Sequence, residues 1–361
     1  MKNTNETKNK YIELKLLAEK LETYQHESGY FFTILKPSNI RVERIMTTSL
    51  TAKVLCYILL KYGWQEDIAC IVEKSIKYII ESANKNQKWQ WNYFPNHKKS
   101  PFPDDYDDTA ISNEAILLWE LAKLTHIQDS QCYFNENRNS ELIESLRNKW
   151  RFTLVSQFSS LSFVKGELRS NTKGVTARKN PLVNGYPTWI IEGEDEINTK
   201  ENIWLNNIDP VVNAHIANVC LLLGLNDYIP QTYLKNFFER FVNDLYVNNH
   251  DRKSSTNHLI SEYKSNINLY SEFYISTLPY LHSLIFLSSH NINGKRLFNQ
   301  DEILIIEKLF LEELSLSNKD TALYIESIKN VQINKVEKSH FMETEYATCP
   351  AYLESLITLY R

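Results

Sequence analysis

Two kinds of predicted helix alternate along this chain of 361 residues. The first kind has a polar or acidic start, followed by a run that is apolar on nearly every side of a helix. Such a helix has to be covered by protein all round. Five segments have this character and predict buried helices: Thr47–Gly63, Asp107–Lys123, Asp209–Leu225, Tyr270–Leu287 and Glu343–Tyr360.

The second kind of segment carries one apolar stripe and one charged face. In Asp67–Ala83 the stripe consists of isoleucine and valine residues at the three-and-four spacing of a surface helix. Tyr11–Tyr24, Ser140–Phe158, Thr232–Val247 and Asp301–Leu316 repeat this character. A helix of this kind needs a covering on one side only, so its other side faces water.

The alternation predicts an inner ring of buried helices surrounded by an outer ring. This is an all-α fold, an α/α toroid (barrel), and we interpret residues 1–361 as a single domain of that kind. An open helical solenoid would show the same alternation, because spacing alone does not show closure, but we favour the closed toroid. The interval 159–207 is polar and contains several glycines, which predicts an inserted excursion between two inner helices.

Composition restricts the classes of function. The formal net charge of -4 provides no general attraction to nucleic acid or to anionic lipid. The five cysteines include no CxxC pair, which argues against a disulfide framework and against a structural zinc site. Neither a signal peptide nor an apolar run of about 20 residues is evident, so the sequence predicts a cytoplasmic protein. The 21 Tyr, 16 Phe and 7 Trp supply π faces that can line a cavity.

An acidic motif precedes the second predicted inner helix. Residues 100–110 read SPFPDDYDDTA, with four aspartates in five positions. Like charges this close repel one another, which raises the pKa of at least one carboxyl, and Brønsted-acid catalysis requires a carboxyl that keeps its proton. Helix capping explains one or two of the four aspartates. Binding of Mg²⁺ through one or two carboxylates is a further interpretation.

The motif resembles that of a known family. Asp105–Ala110 (DYDDTA) matches the DxDD(T/S)A motif of class II terpene cyclases, such as squalene-hopene cyclase, in the prenyltransferase and squalene oxidase repeat superfamily. Residues 86–91 (NQKWQW) look like a degenerate Gln/Trp repeat of that family without its usual glycine. The resemblance implies an α/α toroid over nearly the whole chain. It also implies that Asp107 protonates a terminal alkene or epoxide while Asp105 and Asp108 tune its acidity.

The resemblance also implies a substrate and partners. The substrate would be a linear, apolar isoprenoid chain, and Mg²⁺ would be needed only if that chain carries a diphosphate. Class II cyclases usually close their cavity between two such domains, whereas this chain has the length of one. The cavity would therefore be completed by a homodimer, by another partner or within the single chain. An apolar substrate would also favour peripheral contact with a membrane.

Three polar residues open the third predicted inner helix. Asp209 is an expected N-cap, with Pro210 at the first helical position. It should lie at the same rim as Asp107, because the inner helices of a toroid all point the same way, and it is therefore also a candidate for substrate binding. Asn213 and His215 need buried partners on so apolar a helix. Each is a candidate for orienting the proton of the acid, and a satisfied core polar group is the alternative.

Other candidates for substrate binding lie in the polar excursion. The rings of Tyr186, Trp189 and Trp204 could place π faces at the cavity mouth, where they would stabilise a cation. Core or lid packing is the alternative role for these rings. Arg169 and Lys173 belong to a basic stretch that could clamp a diphosphate, and a solvated loop is the alternative.

Three other functions are compatible with the predicted fold. A prenyltransferase would hold zinc with an aspartate and a cysteine two positions apart, and no Asp-x-Cys occurs here. Carbohydrate-active toroids use pairs of acids whose separation sequence does not reveal. A non-catalytic toroid would bind a lipid or a protein partner. Burial distinguishes this last function from a cyclase, because a catalytic Asp107 should face an enclosed apolar pocket and a cap should face water.

Overall fold

The computed structural model of the chain describes residues 4–83, 89–92, 95, 104–128, 141–161, 185–186, 209–250, 274, 276–325 and 346–360. Its α-helices are numbered in chain order. The odd-numbered helices are α1 (Thr4–Glu22), α3 (Glu66–Glu81), α5 (Glu141–Leu161), α7 (Gln231–His250) and α9 (Gln300–Leu316). The even-numbered helices are α2 (Ile45–Tyr62), α4 (Tyr106–Gln128), α6 (Pro210–Leu223), α8 (Leu278–Ser288) and α10 (Pro350–Tyr360).

The even-numbered helices form the predicted inner ring. Helix α2 packs against α4, α4 against α6, α6 against α8, and α10 returns to pack against α2. The ring closes between α8 and α10, where the rings of His282 and Tyr360 meet edge to face with centroids 5.8 Å apart. Every residue of α6 is buried, as expected of a helix that is apolar all round. The toroid is therefore closed, and the open solenoid is wrong.

The odd-numbered helices cover this ring from outside. Helix α3 contacts α1, α2 and α4, and α1 also contacts α10. Helices α5 and α7 both lie on α6, and α9 lies on α8. Their apolar stripes point inward: in α9 Ile306 and Phe310 are buried, whereas Leu304 is about half exposed. None of the helices in the described ranges is both long and apolar enough to cross a bilayer.

Two inner helices begin later than the sequence predicted. Helix α8 starts at Leu278 rather than Tyr270, and α10 starts at Pro350 rather than Glu343. A proline marks each start, Pro279 at the second position of α8 and Pro350 at the first of α10. Proline is favoured in the first turn of a helix, where the N–H that it lacks would have no partner within the helix, so each proline is typical of a helix start. Of the predicted excursion 159–207, residues 159–161 continue α5, and only residues 185–186 of the remainder are described.

A small sheet supplements the predicted all-α architecture. Its antiparallel strands β1 (Phe32–Lys36) and β2 (Arg41–Glu43) precede α2, and β6 (Tyr346–Thr348) precedes α10, with β5 (Ala322–Ile325) beside β6. A separate two-stranded ribbon, β3 (Asn291–Ile292) and β4 (Lys295–Arg296), connects α8 to α9.

The four-stranded sheet links the first inner helix to the last. The strand order is β2-β1-β6-β5, with Ile34 of β1 opposite Thr348 of β6. The hydroxyl of Thr47 on α2 contacts that of Thr33 on β1 and lies 3.2 Å from the sulfur of Cys349. The sheet therefore fixes the rim at which the inner helices begin.

Two glycines with positive φ allow a matched test of how the chain packs around this ring. Gly29 has φ 102°, and a Cβ atom there would collide with the backbone oxygen of Lys74 on α3. Gly63, which ends α2, has φ 87° and open space around it. We expect Gly63→Ala to lower the free energy of unfolding by about 1–3 kcal/mol through backbone strain alone. Gly29→Ala should lower it by clearly more, because α3 has to move as well.

Urea unfolding of the two variants measures this difference. Equal losses would show that the loop at Gly29 does not press against α3 in solution.

Candidate active site

The acidic motif lies at the N-terminal end of inner helix α4, and Asp105 is the residue that caps it. Its Oδ1 accepts a hydrogen bond from the backbone N–H of Asp108 at 2.6 Å, and its carbonyl accepts the first intrahelical bond, from Thr109 at 3.2 Å. These are the two bonds expected of an N-cap residue. Capping therefore accounts for one carboxyl of the motif and leaves the role of the others open.

The tryptophan segment upstream is attached to the same helix start. The hydroxyl of Thr109 accepts a hydrogen bond from the backbone N–H of Trp91 at 3.0 Å and donates to the Trp91 carbonyl at 3.3 Å. That carbonyl also accepts from the N–H of Asp105, at 3.2 Å. The buried indole of Trp91 donates to the carbonyl of Ile79 at 2.7 Å, so it ties the motif to outer helix α3.

Asp107 occupies the second position of α4 and takes no part in capping. Its side chain is buried, with 6% of the residue exposed. One oxygen, Oδ2, accepts a hydrogen bond from the hydroxyl of Tyr274 at 2.7 Å. The other, Oδ1, is buried without a hydrogen-bond partner in the described part of the chain. The carboxyl is therefore held in one orientation, with one oxygen left available.

Burial raises the pKa of Asp107 well above its ordinary value. The neighbouring charges of Asp108 and Asp209 raise the pKa further, whereas the bond from Tyr274 and the positive charge of Lys53 lower it in part. Because the Tyr274 hydroxyl donates to Oδ2, the proton of the neutral acid belongs on Oδ1. The site thus presents a buried carboxyl whose raised pKa favours the protonated form and whose Oδ1 has no hydrogen-bond partner among the described residues.

The carboxyls of Asp105 and Asp108, on either side of Asp107, stabilise the start of α4. Burial raises the pKa of Asp105, and the charges of Asp108 and Asp107 add to this effect. Burial also raises the pKa of Asp108, to about 7, although hydrogen bonds with Asp105 and with the backbone of Met46, and the charge of Arg44, lower it in part. Arg44 and Met46 belong to the start of α2, so Asp108 joins the beginnings of two inner helices.

Asp209, Asn213 and Tyr186 form a structural connection beside this site. Asp209 is buried and caps α6, accepting from the N–H of Val211 at 2.8 Å. The Asn213 amide exchanges two hydrogen bonds with the backbone of Tyr186, at 2.7 and 2.9 Å, and donates to the Asp209 carbonyl at 2.9 Å. The bonds given for Asn213 go to Tyr186 and Asp209, as expected of a satisfied core polar group, and its role in orienting the proton of the acid stays a prediction.

Tyr186 packs in the core, which was the alternative to a place at the cavity mouth. Its ring lies 6.1 Å from that of Tyr106, and its hydroxyl donates to the carbonyl of Tyr228 at 2.9 Å. Trp189, Trp204, Arg169 and Lys173 lie outside the described residues, so their predicted roles stay predictions.

A buried ion pair lies further along the inner ring. The Lys53 ammonium on α2 contacts Oε2 of Glu114 on α4 at 3.0 Å, and both side chains are at most 1% exposed. Glu114 also accepts from the hydroxyl of Tyr57 at 3.2 Å and from the amide of Asn218 at 3.0 Å. Burial alone would raise the pKa of Glu114, but the charge of Lys53 and hydrogen bonds from His215 and Lys53 lower it to about 2. Glu114 is therefore ionised.

His215 belongs to this ion pair rather than to the acidic motif. Its Nδ1 lies 3.1 Å from the hydroxyl of Ser283 on α8, 3.5 Å from Oε2 of Glu114 and 3.5 Å from Nζ of Lys53. Burial and the charge of Lys53 lower the pKa of His215 to about 4, so the imidazole is neutral. We name Lys53, Glu114, His215 and Ser283 the axial cluster, because they converge from four of the inner helices.

Sequence reasoning missed Tyr274, Lys53 and Glu114. The two charged residues had a usable signal, since each interrupts a segment that is apolar all round, and buried charges are paired. Nothing local distinguishes Tyr274 from the other tyrosines, because its partner Asp107 is 167 positions away in the chain. Among the described residues, no group of three His, Cys, Asp or Glu side chains is placed to hold a metal ion.

Comparison with known proteins gives two similar structures. No protein-family model and no curated protein matches the chain. The two structures are variants of the type II terpene cyclase MstE from Scytonema, each in complex with geranylgeranyl dihydroxybenzoate. They share 10% sequence identity with this chain, cover 98% of it and 96% of their own length, and have TM-scores of 0.44 and 0.42. The similarity concerns the fold, so the chemistry has to follow from the side chains of this site.

The axial ion pair makes a testable contribution to stability. Lys53→Met should lower the free energy of unfolding by about 3–5 kcal/mol, because it leaves the Glu114 carboxylate buried without its counter-ion. The double variant Lys53→Met/Glu114→Gln should be more stable than this single variant, since Gln can still accept from Tyr57 and Asn218. Lys308→Met, at a side chain that is 72% exposed, is the matched control and should change stability by less than about 0.5 kcal/mol.

Chemical denaturation of these three variants provides the measurement. A double variant as unstable as Lys53→Met would contradict the pairing.

Proposed function

We propose that this protein is a class II-like terpene cyclase, in which Asp107 protonates the terminal alkene of a linear polyprenyl chain. The observation that carries this proposal is the state of the Asp107 carboxyl. It is buried, its pKa is raised, Tyr274 fixes one oxygen, and the other oxygen has no partner in the described residues. A general acid needs a proton that is held ready and has no competing acceptor.

The proton transfer would proceed as follows. The π electrons of the terminal alkene form a new C–H bond with the proton on Oδ1, and the O–H electron pair stays on Asp107. The adjacent carbon becomes cationic and is attacked by the next alkene of the chain, which closes a ring. Tyr274 already donates to the carboxyl at 2.7 Å and would stabilise the resulting aspartate. The positive charge of Lys53 acts in the same direction.

A non-catalytic toroid that binds a lipid or a protein is the alternative function. In such a protein the aspartates would serve the helix start, and Asp105 and Asp108 already do so without Asp107. The buried carboxyl of Asp107 would then lower the stability of the fold without capping the helix. This cost favours the cyclase over the binding toroid.

The proposal extends to the substrate and its partners. The substrate is an apolar isoprenoid, and Mg²⁺ would accompany it if it carries a diphosphate. Arg169 and Lys173 remain the predicted diphosphate ligands. A homodimer, another partner or the single chain itself would complete the cavity, and the apolar substrate would favour peripheral contact with a membrane.

Incubation of purified protein with C15, C20 and C30 polyprenyl substrates plus Mg²⁺, followed by product analysis, tests this function. The wild type should yield cyclic product. Asp107→Asn should reduce the yield by at least about 10²-fold, because an amide has no acidic proton to give. Asp104→Asn removes a carboxyl of the same motif that is only partly buried and should keep the product. Product from Asp107→Asn at the wild-type level, or none from a folded wild type with any of the three substrates, would refute the proposal.

The raised pKa of Asp107 also predicts a pH-dependent stability difference. The unfolded chain ionises this residue near pH 3.9, whereas the folded protein holds the proton to higher pH. The stability that the neutral acid contributes is therefore present below pH 3.9 and is lost as pH rises through the folded pKa. Asp107→Asn avoids this loss, so its melting temperature should match the wild type near pH 4 and exceed it near pH 8.

Thermal unfolding of the two proteins across this pH range provides the measurement. A constant difference at all pH values would show that Asp107 keeps an ordinary pKa.

A further inference from the structure

The second ring nitrogen of His215 is a buried basic group that the proposed proton transfer does not use. The Nδ1 atom of His215 is engaged within the axial cluster, at 3.1 Å from Ser283. The Nε2 atom is buried without a hydrogen-bond partner in the part of the chain that is described. A buried polar atom of this kind calls for an explanation in a folded protein.

The position of His215 relates it to Asp107. Its Nδ1 meets side chains from α2, α4 and α8, so the imidazole points from α6 toward the axis of the inner ring. Glu114 follows Asp107 on α4 by seven residues, and seven residues of helix rise by about 10.5 Å. The imidazole therefore lies about two helical turns below the acid, on the same side of α4.

The charges around the imidazole define what it can accept. Lys53 and Glu114 neutralise each other, and His215 is neutral, so the axial cluster carries no net charge. The Nδ1 atom has one donor, Lys53 Nζ, and one acceptor, Glu114 Oε2, each at 3.5 Å, so both tautomers have a partner there. In the tautomer with a proton on Nδ1, which faces Glu114 and Ser283, Nε2 carries a free lone pair. The same carboxylate, 3.5 Å from Nδ1, would stabilise an imidazolium, and Lys53 would oppose it. Such a base takes a proton from a strong acid and releases it again afterwards.

Resting on the proposed function, we infer that His215 is the base that ends the cyclisation. Nε2 takes a proton from a carbon adjacent to the final cationic carbon. The electron pair of that C–H bond becomes the second bond of a C=C double bond, and the positive charge passes from carbon to the imidazolium. Asp107 thus supplies one proton at one end of the substrate, and His215 removes one at the other. Ser283 is a positioning residue, because its hydroxyl can accept the Nδ1–H hydrogen bond of the tautomer that leaves Nε2 basic.

His282 provides a matched control for this inference. It is also buried, on the neighbouring inner helix α8, and its Nδ1 likewise has no partner among the described residues. It lines a different space, an open cleft of about 320 Å³ with Tyr57, Phe286 and Tyr360 at the end of the ring where the inner helices finish. Its ring packs against the rings of Tyr57, Phe310 and Tyr360, and the charges of Lys53 and Glu114 also act on it. Phenylalanine can therefore replace it with its packing kept.

The test compares products from His215→Phe, His215→Gln and His282→Phe with those of the wild type. In both His215 variants, substrate consumption should stay within about tenfold of the wild type, because Asp107 still starts the reaction. The share of the wild-type alkene should fall by about 10²-fold, in favour of other double-bond isomers and water-captured alcohols. His282→Phe should give the wild-type product. Glutamine keeps a polar side chain of similar size, so it serves should phenylalanine prevent folding, and thermal unfolding checks each variant.

Unchanged products from a folded His215 variant would overturn the assignment of the base and leave the proposed function intact. No product from the wild type itself would overturn both. The two failures are therefore distinguishable.

Discussion

Removal of the Asp107 carboxyl from water is the constraint on which the rest of this site depends. A carboxylate in such a place would need a counter-ion. The charges of Asp108 and Asp209 oppose its ionisation, and Lys53 is already paired with Glu114. Keeping the proton on the Asp107 carboxyl costs less free energy than burying its charge without a counter-ion. The closed inner ring supplies the burial, and a neutral acid in an apolar interior is the result.

Two groups of buried ionisable side chains, with opposite pKa shifts of their carboxyls, therefore occupy different parts of one barrel. At the rim where the helices begin, carboxyls lie close together and burial raises the pKa values of Asp105, Asp107 and Asp108. Along the axis, Glu114 is ionised because Lys53 lies 3.0 Å away and two further donors satisfy its other oxygen. Environments that push the ionisation of similar groups apart are how one fold keeps an acid and a base at the same pH.

Much of the fold could be predicted from the sequence, because a helix that is buried on all sides is apolar at nearly every position. Both rings of helices and the order in which they alternate were predicted in this way. The strands were not, since runs of two to five residues are too short to show a period. Asp107 could be found because its neighbours in the chain are also acids. Tyr274 could not be found, because its contact with Asp107 forms only on folding and nothing in the sequence near either residue indicates it.

The sheet that joins the two ends of the ring has a consequence for the order of assembly. Thr47 meets Cys349 across 302 positions of sequence, and Lys10 on α1 donates to the carbonyl of Thr358 on α10 across 348. Contacts of such separation form late, because the chain between them has to be gathered first. A nascent chain therefore completes four inner helices before the fifth can seal them. Until then the inner ring is open on one side, so the full burial that raises the pKa of Asp107 comes only in the last step of folding.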